Sequence, residues 1–230
     1  MSKRCSFLSA IGGLAAACAA GFVAYIFAVR PRHRRWGATD EEVTRAMPGD
    51  DLVANANFHT TRAIDIVAPP EGVWPWLVQI GQGRGGFYSY DVLENLMDLE
   101  IHNAGRILLD FQDLQVGDAI PIEPGGAGFK VAEIAPHRHF VLLAEGTGDT
   151  EVDEVFRQAD FASTWTFLLE EPNPGRTRLV VRWRARWDLL SAPGPLLIGL
   201  TLDPIEFIME RKMMQGIKER AETSAHAVRI

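Results

Sequence analysis

The spacing of hydrophobic positions changes repeatedly along this chain, and each change marks an element. From Phe7 to Val29 no side chain is charged. A helix over that stretch would rise roughly 34 Å at about 1.5 Å per residue, enough to cross a hydrocarbon core with some tilt. Residues Trp36 to Asn57 then turn polar, with Pro48-Gly49-Asp50-Asp51 as the clearest breaker, and predict a linker with one short helical turn. Thr60 to Val67 reads as a strand, with Ile64 and Ile66 on one face and Asp65 on the other. After Pro69-Pro70-Glu71, Val73, Trp76, Leu77 and Ile80 fall at helical spacing. Pro75 is tolerable only in about the first turn, which fixes the helix start near Pro70 to Gly72. A glycine-rich loop, Gly81 to Gly86, ends that helix, and Asp91 with Glu94 predicts a capping box for a second short helix to about Met97.

Beyond Val116 the period drops to two. Alternating runs cover Ala119 to Ile122, Phe129 to Ile134, Phe140 to Ala144, Phe161 to Leu169 and Leu179 to Trp187. Phe161, Ser163, Trp165, Phe167 and Leu169 share one face, as do Val181, Trp183, Ala185 and Trp187, while Arg182, Arg184 and Arg186 take the other. With Glu171 to Gly175 as a hairpin turn, these runs predict an antiparallel sheet with one aromatic and one charged face. A long helix closes the chain, with Asp203 expected as N-cap, Pro204 as its first residue, and Glu206 in the capping-box position. Ile205, Ile208, Met209, Met213, Gly216 and Ile217 are expected to form its apolar stripe, Gly216 allowing close approach to the sheet. The apolar run Leu196, Leu197, Ile198, Leu200 and Leu202 reads as a buried turn before it or as an entry gate at a bilayer.

With 230 residues, 47% of them hydrophobic, the chain supports one sizeable core. The expected division is an anchor with a basic flank at 1–36, a linker at 37–57, one domain at 58–224 and a tail at 225–230. Lys3 and Arg4 also fit the start of a secretory signal peptide, but the apolar run is long and ends in Val29-Arg30-Pro31-Arg32 without a small-residue cleavage site. An uncleaved, single-pass cell-membrane anchor is therefore expected. Arg30, Arg32, Arg34 and Arg35 outnumber Lys3 and Arg4 across it and favour a cytoplasmic domain. Gly13, Ala17 and Gly21 have the spacing of a close helix contact, so a homodimer through this helix is an expected partner state. Six of the 23 basic residues and none of the 30 acidic ones precede Gly37. The remainder carries a net charge of −13, which argues against a nucleic-acid surface. Both cysteines, Cys5 and Cys18, lie before Gly37 as well, leaving the domain no thiolate metal site or cysteine nucleophile.

Against this background, the run Ala63-Ile64-Asp65-Ile66-Val67-Ala68-Pro69-Pro70-Glu71-Gly72-Val73-Trp74-Pro75-Trp76 to Gly81 resembles the opening of the START-like polyketide cyclase, dehydrase and lipid-transport superfamily, SRPBCC. Trp36 to Glu42, Gly83 to Asp91, and Met209-Glu210-Arg211-Lys212-Met213 with Gly216-Ile217-Lys218 resemble an uncharacterised bacterial branch of it. The resemblance spans about Trp36 to Glu222. It implies an α+β helix-grip fold, a curved antiparallel sheet wrapped on a long C-terminal helix, with a cavity between them for an apolar small molecule or lipid. It carries over no catalytic set.

Candidate ligand-binding residues are the aromatics Tyr88, Tyr90, Trp165, Phe167, Trp183 and Trp187, whose flat rings with polar tips suit a mostly apolar molecule; core packing is the alternative. No cofactor and no metal is expected. Gly81-x-Gly83-x-x-Gly86 satisfies a dinucleotide fingerprint literally, but a helix rather than a strand precedes it. His137 and His139 flank Arg138 in a turn and read as solvated. An enzymatic alternative, a cyclase, dehydrase or hydrolase on an apolar substrate, would need His59, His102 or Asp110 as acid or base.

Overall fold

Alternation of side chains across strands builds the sheet that dominates this molecule. The computed structural model describes residues 20–21, 23–96, 98–125, 128–145, 161–186 and 195–227, the side chains of 195–202 and 227 excepted. Its strands are β1 (Phe58–Ile66), β2 (Ala119–Pro121), β3 (Gly128–Ala135), β4 (His139–Glu145), β5 (Ala162–Asn173) and β6 (Arg176–Arg186), hydrogen-bonded in the order β1-β6-β5-β4-β3-β2. Every pairing is antiparallel. The helices are α1 (Arg30–Arg34), α2 (Asp40–Thr44), α3 (Pro70–Val78), α4 (Asp91–Asn95) and α5 (Pro195–Ala227). A six-stranded antiparallel sheet against a long C-terminal helix is the helix-grip arrangement, as the sequence led us to expect.

One end of the sheet's inner face is sealed. Ile66, Val131, Phe140, Phe167, Leu179 and Val181 are fully buried there against Val73 and Leu77 of α3 and Met213, Ile217 and Ala221 of α5. Phe140 and Phe167 stack with centroids 4.7 Å apart. Each such side chain stabilises the fold by about 1.5–3 kcal/mol relative to exposure. Helix α3 starts at Pro70, as expected, but Pro75 is its sixth residue and lies inside the helix, past the first turn in which a proline costs no backbone hydrogen bond.

The charged outer face is covered. Residues 37–57, read as a linker, lie across it: Met47 packs on Ala63 and Val180, and the Thr166 hydroxyl donates to the Pro48 carbonyl. Arg182, only 4% exposed, donates to Thr61, to the Glu42 and Arg45 carbonyls and to Asp50. Arg178 pairs with Glu42, whose carboxyl that hydrogen bond holds down at about 2 despite burial. Glu42 also closes a capping box with Thr39 at the start of α2.

Four expectations need correction. First, α5 begins at Pro195, not at Pro204, so the apolar run before Asp203 is helical rather than a turn. Pro204 lies inside the helix, and Asp203, freed from capping, is 2% exposed and paired with Arg30 and Arg34. Second, Ile205 and Ile208 are exposed while Asp203 and Glu210 are buried, because the inward stripe of α5 is set by arginines facing it. Third, α4 has Tyr90 as its N-cap, with no side-chain cap bond, and ends at Asn95; Asp91 accepts from the adjacent Val92 amide instead. Fourth, the single-pass cell-membrane location is overturned: among the described residues no helix is long and apolar enough to cross a membrane. The described part of that stretch is helical at 20–21 and 23–24 and π-helical at Tyr25–Val29, running into α1, whose Arg30 and Arg34 turn onto Asp203 of α5. Most of residues 7–24, with Gly13 and Ala17, lies outside the described residues.

Candidate functional site

The inner face divides into cross-strand rows. Arg62, Val181, Phe167 and Phe140 form one row, and Thr60, Trp183, Trp165 and Leu142 the next. Beyond them come Phe58, Ala185, Ser163 and Ala144. The first row belongs largely to the sealed end. In the second, Trp165 and Trp183 are only partly buried, between Thr60 and Leu142, which are sealed.

Around Trp165 the walls are aromatic: Phe167, Phe129 and Phe87 lie at ring-centroid distances of 4.9, 5.8 and 6.2 Å. Its indole N–H donates to the Glu210 carboxylate at 2.9 Å. The Trp183 indole donates to the Ser163 hydroxyl, and its ring meets the edge of Phe58 at 5.4 Å. Thr60 sits beside Trp183, 1% exposed, and its hydroxyl has no hydrogen-bond partner.

The neighbouring row ends in a charge cluster. Arg62 is fully buried; it donates to both oxygens of Glu206, to Glu210 and to the His33 carbonyl. Burial alone would pull its guanidinium down, but the two carboxylates more than offset that and hold it above its ordinary value. Burial first, and then Glu210, raise the Glu206 carboxyl against the pull of Arg62. Isolated buried charge is costly, so this cluster persists only because its members face one another. Helix α1 closes one side of it: His33 stacks on Phe207 with centroids 4.2 Å apart. Burial and Arg62 lower the His33 pKa.

The sequence-predicted residues divide between this site and the core. Trp165 and Trp183 are partly buried aromatics of the inner face, and Phe167, one row away, is fully buried. Tyr88 is a core residue. Its hydroxyl donates to the Trp76 carbonyl and accepts from Gln79, Arg220 covers its ring, and burial pushes it up to about 12. Tyr90 is 42% exposed at the start of α4, and Trp187 lies outside the described residues. Sequence reasoning missed Arg62, Glu206 and Glu210. A signal was present: Asp203, Glu206 and Glu210 continue the spacing of Met213, Ile217 and Ala221, so the acids share the buried stripe of α5.

Other candidates stand apart. His59 is exposed on the outer face, directly opposite Arg184; burial and then Arg34, Arg184 and Arg182 lower its pKa. His102 and Asp110 are exposed in the segment between α4 and β2. No hydrogen bond or ion pair joins any two of the three. His137 sits exposed in a turn with its ring against Trp74, whereas His139 faces Glu133 at 3.8 Å. The Gly81–Gly86 loop closes on itself through paired amide-carbonyl bonds of 3.0 and 3.1 Å, so those N–H groups do not point at a ligand phosphate. A cleft of about 380 Å³ lies at the sealed end, lined by Pro70, Glu71, His137, Arg138 and Leu169 together with Glu170 and Glu171. Its acidic, open lining suits an apolar molecule poorly.

No protein-family model and no curated protein matches this chain. Among solved structures, a protein of Mesorhizobium loti aligns with 71% of this chain and 97% of its own at 17% identity, with a TM-score of 0.36. One of Chromobacterium violaceum covers 71% and 96% at 13% identity, with a TM-score of 0.40. Ara h 8.0201 covers 74% and 98% at 14% identity, with a TM-score of 0.37. The fold assignment rests on this chain's own strand order and terminal helix.

Proposed function

We propose that this chain binds a lipid-like small molecule, apolar with a polar head, on the inner face of its sheet beneath the N-terminal half of α5. One observation carries the reading: within a single continuous face, Phe140, Phe167, Leu179 and Val181 are sealed while Trp165 and Trp183, one row away, are not. Aromatic walls around a few polar groups are the usual make-up of a small-molecule site. The unpartnered Thr60 hydroxyl supports it, since a buried hydroxyl without a partner costs about 1–3 kcal/mol and a ligand can recover that cost.

Uptake of the neutral probe N-phenyl-1-naphthylamine by the full chain, followed by its fluorescence, tests the reading. Saturable binding is expected, weakened about tenfold, roughly 1.4 kcal/mol, in Trp165→Ala and in Trp183→Ala. Absence of saturable uptake, or uptake unchanged in both variants, would overturn it.

A further inference from the structure

The charged groups beside this site are matched one for one. On α5, Asp203 accepts from Arg30 and Arg34, and Glu206 and Glu210 accept from Arg62, so three acids face three arginines. Every carboxylate oxygen of the two glutamates has a donor, because the Glu210 oxygen that Arg62 does not reach takes the Trp165 indole N–H. Arg62 is engaged in turn, with its Nε on the His33 carbonyl. The Trp183 indole N–H goes to the Ser163 hydroxyl. Both indoles thus give their N–H groups to the protein and offer a ligand only their rings. Among the described polar side chains in the cross-strand rows of Arg62 and Trp183, one has no hydrogen-bond partner. It is the hydroxyl of Thr60, directly opposite Trp183 and 1% exposed.

We infer that the polar group of the ligand is uncharged, a hydroxyl or a carbonyl that hydrogen-bonds to Thr60, and that the site rejects ammonium and carboxylate heads alike. This rests on the binding proposal above and names its ligand class. An ammonium head would leave water and find no carboxylate without a partner. A carboxylate head would find every nearby guanidinium already held by an acid. An ion buried without a partner is costly in either sign, and drawing a partner out of an existing buried pair strands the group it leaves behind. An uncharged head avoids both costs. Thr60 can donate to a carbonyl or accept from a hydroxyl, and neither bond disturbs the matched set.

Calorimetric titration of the full chain with 1-decanol, decylamine and decanoate at about pH 8 decides the matter, because the three share one body and differ in the head. At that pH an alkylammonium and an alkylcarboxylate are both charged, and Glu206, which burial raises to about 7, has given up its proton. Decanol is expected to bind about tenfold more tightly than either ion, or better. Thr60→Val removes the hydroxyl and keeps the shape of the side chain. It should weaken decanol about tenfold and move neither ion by more than about twofold. Glu206→Gln takes one acid from the matched set and leaves an arginine charge in excess, so decanoate is expected to gain about fivefold on decanol in that variant. An ion bound as tightly as decanol by the native chain, a decanol affinity unmoved by Thr60→Val, or no gain for decanoate in Glu206→Gln would overturn this inference and leave the binding proposal standing. Failure of all three probes to bind would overturn both.

Discussion

Buried ionisable groups carry much of the specificity of this fold, and their surroundings differ sharply from site to site. Glu42 is held ionised by Arg178, and Arg62 by two glutamates. Glu94 has no such partner. It is 5% exposed, its Oε2 makes no hydrogen bond, and burial with the nearby Asp91 pushes its carboxyl up to about 7. An unfolded glutamate titrates near about 4.3, so the folded protein keeps a proton there that the unfolded chain releases. The stability this proton provides is complete below that value, declines as the pH rises, and is lost above about pH 7. Glu94→Gln should accordingly flatten the fall in thermal midpoint between pH 5 and pH 8. At pH 8 it should raise stability by roughly 1–3 kcal/mol. A wild-type slope retained in the variant would show that Glu94 is not its source.

At the scale of elements, α5 has two different halves along one buried stripe. Toward the N-terminus the stripe is acidic and meets α1 and Arg62; toward the C-terminus Met213, Met214, Ile217 and Ala221 complete the core. Within the apolar half lies Gly216, where an added Cβ would stand 2.5 Å from the Tyr88 carbonyl oxygen. The close approach is thus between helix and the Tyr88 loop rather than between helix and sheet. Tyr88 itself has φ of 56°, a conformation that costs on the order of 1 kcal/mol and is held by the Asn103 side chain and the packing around it. Gly216→Ala should lower stability by about 1–3 kcal/mol through overpacking, read as a shift in the urea midpoint with the slope unchanged. A neutral substitution would mean that the loop yields without cost.

On the scale of the whole molecule, the sheet is a middle layer. Helices α3 and α5 cover one face, and residues 37–57 cover the other through arginines that insert among main-chain carbonyls. Arg182 is the centre of that second contact. Removing one partner of such a buried network is strongly destabilising, by about 3–5 kcal/mol, because charges and carbonyls are left unsatisfied. Arg182→Met should lower stability on that scale and expose residues 37–57 to protease ahead of the sheet. Cleavage no faster than in the wild type would show that the apolar contacts of Met47 and Val53 hold the segment alone.

The order of strands and helices, the two-faced sheet and the position of α3 were legible in the sequence, because local periodicity and proline chemistry act over a few residues and need no knowledge of distant partners. The shared face of Trp165 and Trp183 was legible for the same reason, by alternation. What only the tertiary structure decided was which groups face each other across the chain. Arg62 and Glu206 stand 144 residues apart, and Arg182 and Asp50 stand 132 apart. Pairing energies of that kind turned the acids of α5 inward, left Ile205 and Ile208 outside, and drew a seeming linker onto the sheet. A residue's polarity sets the cost of burying it, but only the fold supplies the partner that offsets the cost.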